Sequence, residues 1–171
     1  MKKQISSWHV GIAAEAYAAG LFARYGYDVS VQYGANQPEY DLIVVKGDQM
    51  LKVSVKGSQD GGWGLTQNFK KDSTYHEAAD KWLAMHHRGT IFCLVQFENV
   101  SVDAMPRVYL ATPAEIAQRL KESGAGRGET ILYEHQVWSE RAAAYGTIDA
   151  VPESWKLSQD RIVEMFALAG V

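Results

Sequence analysis

From Ser7 to about Tyr25 the chain is rich in alanine and free of proline, which predicts a helix with Ser6 or Ser7 capping its start and Gly26 closing its end. Trp8, Ile12, Ala19 and Phe22 recur at helical spacing, and Glu15 falls on the same face. That is an unusual place for a carboxylate. The pattern then turns to alternation: "YDVSVQY" reads as a short strand, "GANQPE" as a loop, and "YDLIVVKGDQMLKVSVKGS" as a β-hairpin. Beyond Ser58, "QDGGWGLTQNFKKDSTYH" is polar and glycine-rich and predicts a functional loop, followed by a helix from about Glu77 to His87. "GTIFCLVQFE" and "PRVYLAT" predict two strands. In "TPAEIAQRLKES", Thr112 at the cap, Pro113 at the first helical position and Glu115 three residues after the cap form a capping box. "GAGRGET" then reads as a loop, "ILYEHQVW" as a strand, and "SQDRIVEMFALAG" as an amphipathic helix capped by Ser158. No repeat, low-complexity tract or long linker divides the chain, so the pattern predicts one α/β domain over residues 1–171 with a mixed sheet.

The hairpin can be read more closely. A two-residue Gly47–Asp48 turn of the Gly-X type places positions summing to 95 opposite each other, so Asp41 faces Ser54. Leu42, Val44, Leu51, Val53 and Val55 then share one face. Asp41, Lys52, Ser54 and Lys56 collect on the other with Ile43, Val45 and Met50. A slip of one residue would mix the two sets, so the pattern itself supports the register.

Composition adds bounds. A chain of 171 residues and 19.0 kDa, 47% hydrophobic and 22% charged, suits one globular unit that needs no disulfide. The net charge of −3 provides no general attraction to nucleic acid, so such contact requires a local patch. Cys93, within the apolar run "TIFCLVQF", reads as a core thiol, and a single cysteine with no signal peptide or membrane-length apolar run fits a cytoplasmic protein with no membrane partner.

A carboxylate and an ammonium at one sheet end suit phosphodiester hydrolysis: the acid can hold a divalent ion while the lysine positions water and offsets developing charge. An exposed cross-strand salt bridge is the alternative for this pair. The order of Glu15 in "GIAAEAYAAGLFARYGYDV", Asp41 in "PEYDLIVV" and Lys56 in "KVSVKGS" resembles the PD-(D/E)xK nuclease superfamily, with its restriction endonuclease-like and Holliday junction resolvase-like branches. The resemblance implies a three-layer core of about residues 7–122, a central mixed β-sheet flanked by helices, with about 123–171 as a C-terminal extension. It implies a DNA endonuclease dependent on Mg²⁺ or Mn²⁺, in a superfamily many of whose members form homodimers. Asp41 becomes the metal-binding acid, Lys56 the catalytic lysine and Glu15 the helix carboxylate that resolvase-like branches add, with Pro38 displaced by two residues from Asp41.

Ser54 departs from the pattern, which has Asp or Glu two residues before the lysine; a hydroxyl is a poorer ligand for a hard cation than a carboxylate. Three explanations follow. A carboxylate from the next helix replaces it, with Glu77 first and Asp72 or Asp80 next; or Glu15 is the second acid and Ser54 binds water. Otherwise the fold is a catalytically silent module that binds nucleic acid or a protein.

The loop after Lys56 supplies Gln59, Gln67, Asn68, Lys70 and Lys71 for phosphates or base edges, and Trp63 and Phe69 for stacking on bases or for anchoring the loop in the core. Gln59 reads as lining the site. His76 and Asp80 share a helix face but fall short of a zinc set, and His86 and His87 are expected to meet helix-end carbonyls or solvent. "GAGRG" lacks the setting of a phosphate-binding loop.

Overall fold

A computed structural model describes residues 5–32 and 39–171. The first helix, α1 (Ser7–Arg24), is capped by Ser6, whose hydroxyl accepts the His9 N–H at 3.4 Å. Gly26, at φ +84°, turns the chain into a meander of β1 (Asp28–Val31), β2 (Leu42–Lys46) and β3 (Gln49–Ser58). Gly47 takes φ +64° at the β2–β3 turn, and Lys46 pairs with Gln49 and Leu42 with Val53, the register that sums to 95. A short strand β4 (Gly62–Gly64) and helix α2 (Tyr75–Ala84) lead to β5 (Thr90–Gln96), which lies parallel to β3. Then β6 (Arg107–Ala111) pairs antiparallel with β5, giving a mixed sheet in the order β1-β2-β3-β5-β6. Helix α3 (Pro113–Glu122) follows with the Thr112–Glu115 capping box in place. The chain continues through β7 (Ile131–Tyr133), β8 (His135–Val137), β9 (Ile148–Ala150) and α4 (Gln159–Ala169), the last capped by Ser158 and closed by left-handed Gly170.

The sheet's two faces carry two cores. Leu42, Val44, Leu51, Val53 and Val55 pack with Ala14, Ala18 and Phe22 of α1 and with Ile162, Met165 and Phe166 of α4. On the other face Phe92 and Leu94 pack with Trp82 of α2 and with Ile116 and Leu120 of α3, together with Trp63 and Trp155. A central mixed sheet flanked by helices on both sides is therefore the architecture, and each fully buried Leu or Phe contributes about 1.5–3 kcal/mol to it. The C-terminal segment belongs to this packing. Buried Arg161 of α4 donates to the Leu110 carbonyl at 2.9 Å and pairs with Glu115 at 2.9 Å.

Three expectations need correction. The buried face of α1 is Val10, Ala14, Ala18 and Phe22; Trp8 and Ile12 are 68% and 51% exposed. Small residues let α1 approach the sheet closely, so the alanine row wins over the bulkier one. Helix α2 begins at Tyr75 rather than Glu77, because Thr74 and Glu77 form a second capping box. "ILYEHQVW" is two strands: β7 pairs with β4, and β8 with β9, in separate two-stranded sheets. The "GANQPE" loop, apart from Glu39, lies outside the described residues, and Pro38 with it.

Candidate active site

The β2–β3 ladder opens at Asp41. Leu42 still pairs with Val53; one residue earlier, the Asp41 N–H donates to the Val53 carbonyl at 2.9 Å, and the Asp41 carboxylate takes the Val55 N–H at 2.6 Å. One oxygen of Asp41 thus replaces a main-chain acceptor at the point where two strands diverge. A charge-assisted bond of this kind fixes the carboxylate's orientation and leaves its other oxygen for further partners.

Lys56 lies beyond Val55 on β3 with an exposed side chain, and no ion pair within 4.0 Å ties it to Asp41. Glu15 approaches from α1. Partial burial pushes its carboxyl above the ordinary value, the negative charge of Asp41 adds to the rise, and Lys56 opposes it. The fold thus brings Glu15, Asp41 and Lys56 within electrostatic range of one another. Gly57 makes this approach possible: a Cβ there would stand 2.9 Å from the Cβ of Ala14 and 2.9 Å from the backbone oxygen of Val10. The residue after Lys56 is where α1 crosses β3.

Ser54 is 2% exposed and sits between Val53 and Val55, so it turns to the α2 side of the sheet beside its β5 neighbour Phe92. Of the acids considered in its place, Glu77 accepts the Thr74 N–H at 2.7 Å to close the α2 cap, and that bond holds its carboxyl below the ordinary value. Asp80 pairs with Lys121 at 2.5 Å, and Asp72 is exposed at φ +54° in the turn before α2. Glu77 and Asp80 are thus taken up by a cap and an ion pair. His76, once paired with Asp80 as a metal-ligand pattern, bonds the Gly126 carbonyl at 2.9 Å instead.

A cleft of about 280 Å³ adjoins Lys56, lined among others by Ser7, Gly57, Gln59, Asp60 and Trp63. Gln59 also lines this cleft, and its amide donates to the Ile5 carbonyl at 2.7 Å, tying the cleft rim to the entry of α1. Of the two roles open to Trp63, stacking on bases or anchoring the loop in the core, its burial supports the second. It is 2% exposed, its indole N–H donates to the Lys56 carbonyl at 3.0 Å, and its ring meets Tyr109 edge-on. Its work is to hold the main chain of the lysine. Phe69 packs against the same core. Lys70 lies 4.6 Å above the Tyr75 ring, and Lys71 is exposed.

Two features escaped the sequence reading. His86, expected to meet carbonyls or solvent, is clasped between the rings of Trp82 and Phe92 and bonds Glu39 at 2.5 Å through Nδ1. Glu39 stands two residues before Asp41, so this pair pins the entry of β2. Its only trace in sequence is the shared strand parity of positions 39 and 41. Asp60 is the second: it lines the cleft with Lys56 and accepts the Ser58 hydroxyl at 2.9 Å. Cys93 is fully buried and its thiol is pushed up to about 12, in keeping with a core role.

No family model matches the chain, and no curated protein matches it. Among solved structures the chain is similar to Hjc, a Holliday junction resolvase from the archaeal hyperthermophile Archaeoglobus fulgidus, at 14% identity. That likeness covers 72% of this chain and 88% of the other with a TM-score of 0.40, so the functional reading rests on the site itself.

Proposed function

We propose that the protein is a metal-dependent endonuclease that hydrolyses phosphodiester bonds in DNA, restriction-like or resolvase-like in kind. The supporting observation is the electrostatic proximity of Glu15, Asp41 and Lys56, from a helix and two diverging strands, with Lys56 also lining an open cleft. Asp41 and Glu15 offer hard carboxylate oxygens, the donor type that Mg²⁺ or Mn²⁺ takes, and magnesium needs only one or two carboxylates when water and substrate phosphate complete its shell. Among the described residues no group of three or more His, Cys, Asp or Glu gathers into a metal set. When bound, the ion supplies Lewis-acid polarisation of the phosphate and a more acidic water.

The chain's own groups do the rest. Asp41, oriented by the Val55 N–H, holds one side of the site, and Glu15 holds the other. Lys56 positions the attacking water and faces the charge that develops on the phosphate as the new P–O bond forms and the old one breaks. Ser54, buried on β3 one residue before Val55, hydrogen-bonds water in this scheme.

Incubation of purified protein with linear, supercoiled and branched DNA in Mg²⁺ or Mn²⁺ tests the proposal. One DNA form is cut, and Lys56→Ala abolishes the cut; cleavage that survives the substitution removes the assigned mechanism. Ser54 in place of an acid favours a second reading, a silent module that binds without cutting. Binding to all three DNA forms with cleavage of none would select it.

A further inference from the structure

A row of cations and aromatic rings runs from the cleft across the surface that the C-terminal segment adds. Gly62, which lines the cleft, pairs with Tyr133 of β7. The Tyr133 ring lies 6.0 Å from that of Trp138, Arg127 lies 5.5 Å from the Trp138 ring and 5.1 Å from that of Tyr75, and Lys70 lies 4.6 Å from Tyr75. Two stretches of chain far apart in sequence, 70–75 and 127–138, contribute these residues. Arg127 is 42% exposed despite its ion pair with Glu129, and exposed Lys71 follows Lys70. Stacking a cation on an exposed ring stabilises folding only a few-fold, so folding alone gives little reason to gather three cations here in a chain of net charge −3.

We infer that this row, Lys70, Tyr75, Arg127, Trp138 and Tyr133, is a track for an unpaired nucleic-acid strand leading to the cleft. Phosphates answer the cations, and the half-buried rings of Tyr75, Tyr133 and Trp138 offer their remaining surface to bases, whose faces are free only when the strand is unpaired. A duplex presents phosphates but hides base faces, so charge selects nucleic acid and the rings select single strands. The inference deepens the nuclease reading and rests on it for the choice of DNA.

Fluorescence anisotropy of a labelled oligothymidylate, with EDTA present to prevent cutting, measures the track on the full chain. Lys70→Gln with Arg127→Gln weakens binding about tenfold at low salt and lowers the slope of log affinity against log salt by about 1.4, two contacts at roughly 0.7 each. Tyr75→Leu removes a ring without a charge and weakens the oligothymidylate several-fold while leaving a duplex of equal length unaffected. Circular dichroism and thermal melting show that each variant remains folded. Unchanged oligothymidylate binding in both variants, or equal losses for single strand and duplex, overturns the inference. The parent proposal fails separately: Lys56→Ala that still cuts refutes the nuclease mechanism without touching the track, and an enzyme whose cutting requires Lys56 but whose binding ignores Arg127 refutes the track alone.

Discussion

Gly57→Ala tests the geometry that brings Glu15 to the site. The added Cβ would stand 2.9 Å from the Ala14 Cβ, the Val10 Cγ1 and the Val10 backbone oxygen. Carbon atoms rest about 3.5–4.0 Å apart, so helix and strand must separate by roughly 0.6–1 Å. The Val10 methyl can rotate away, but the Ala14 Cβ and the Val10 oxygen move only with α1. Overpacking of this kind costs about 1–3 kcal/mol. Gly57 does not require a positive φ, so alanine recovers about 0.4–1 kcal/mol by restricting the unfolded chain. The net destabilisation is about 1–2 kcal/mol, or about 2–8 °C in melting temperature at this chain length. Because Glu15 follows Ala14, the same displacement moves a carboxylate of the site, and cleavage falls about 10-fold to 100-fold. Gly64→Ala is the control: the three nearest neighbours of its Cβ all belong to the Gln67 side chain, which can swing away. Urea titration followed by tryptophan fluorescence, with cleavage rates on the folded variants, measures both effects. A Gly57→Ala protein as stable and as active as Gly64→Ala would refute the close approach of α1 to β3.

Further outcomes follow from individual side chains. Because the folded Glu15 carboxyl is raised above 4.5, its contribution to stability is present below that pH and lost as pH rises through the folded value. Glu15→Gln therefore melts higher than the parent near neutrality, the gap closing on acidification in thermal scans, while its cleavage falls. Glu77→Gln keeps an acceptor for the Thr74 N–H, so melting and cleavage stay near the parent values; a large loss of rate with an intact fold would instead make Glu77 the missing acid. His86→Ala removes the Glu39 partner and an aromatic contact with Trp82 and Phe92, costing about 2–4 kcal/mol in urea titration; His86→Gln, which can still donate to Glu39, recovers part of it.

Local rules explain much of what could be read in the sequence. The Thr112–Glu115 box, the Ser6 and Ser158 caps and the Gly47 turn depend on residues within a few positions of each other, and all take the expected form. The hairpin register follows from a two-residue turn and one alternating face and holds from Lys46–Gln49 to Leu42–Val53; at Asp41 the strands diverge, and its N–H goes to the Val53 carbonyl instead of pairing with Ser54. The same rules apply to the Thr74–Glu77 cap, whose pattern lies at the edge of a polar loop.

Apolar rank was a poorer guide to α1. Trp8 and Ile12 suggested a buried face, but a helix crossing a strand at glycine needs small residues, and Val10, Ala14 and Ala18 fill that space. Pairings across long stretches of chain were beyond local pattern altogether: β4 with β7, Glu39 with His86, and Lys70, Tyr75 and Arg127 in one row. Sequence by itself determined the long helices and the strands of the central sheet, the hairpin register and the types of charged group at its open end, because these depend on neighbours along the chain; the short strands β4, β7, β8 and β9 did not follow from it. Tertiary structure alone decided which face of α1 is buried, that Trp63 supports the main chain of Lys56, and which acids are taken up by caps and ion pairs. Those outcomes depend on which atoms compete for the same space and the same hydrogen bonds, and distant segments settle that competition only when they pack.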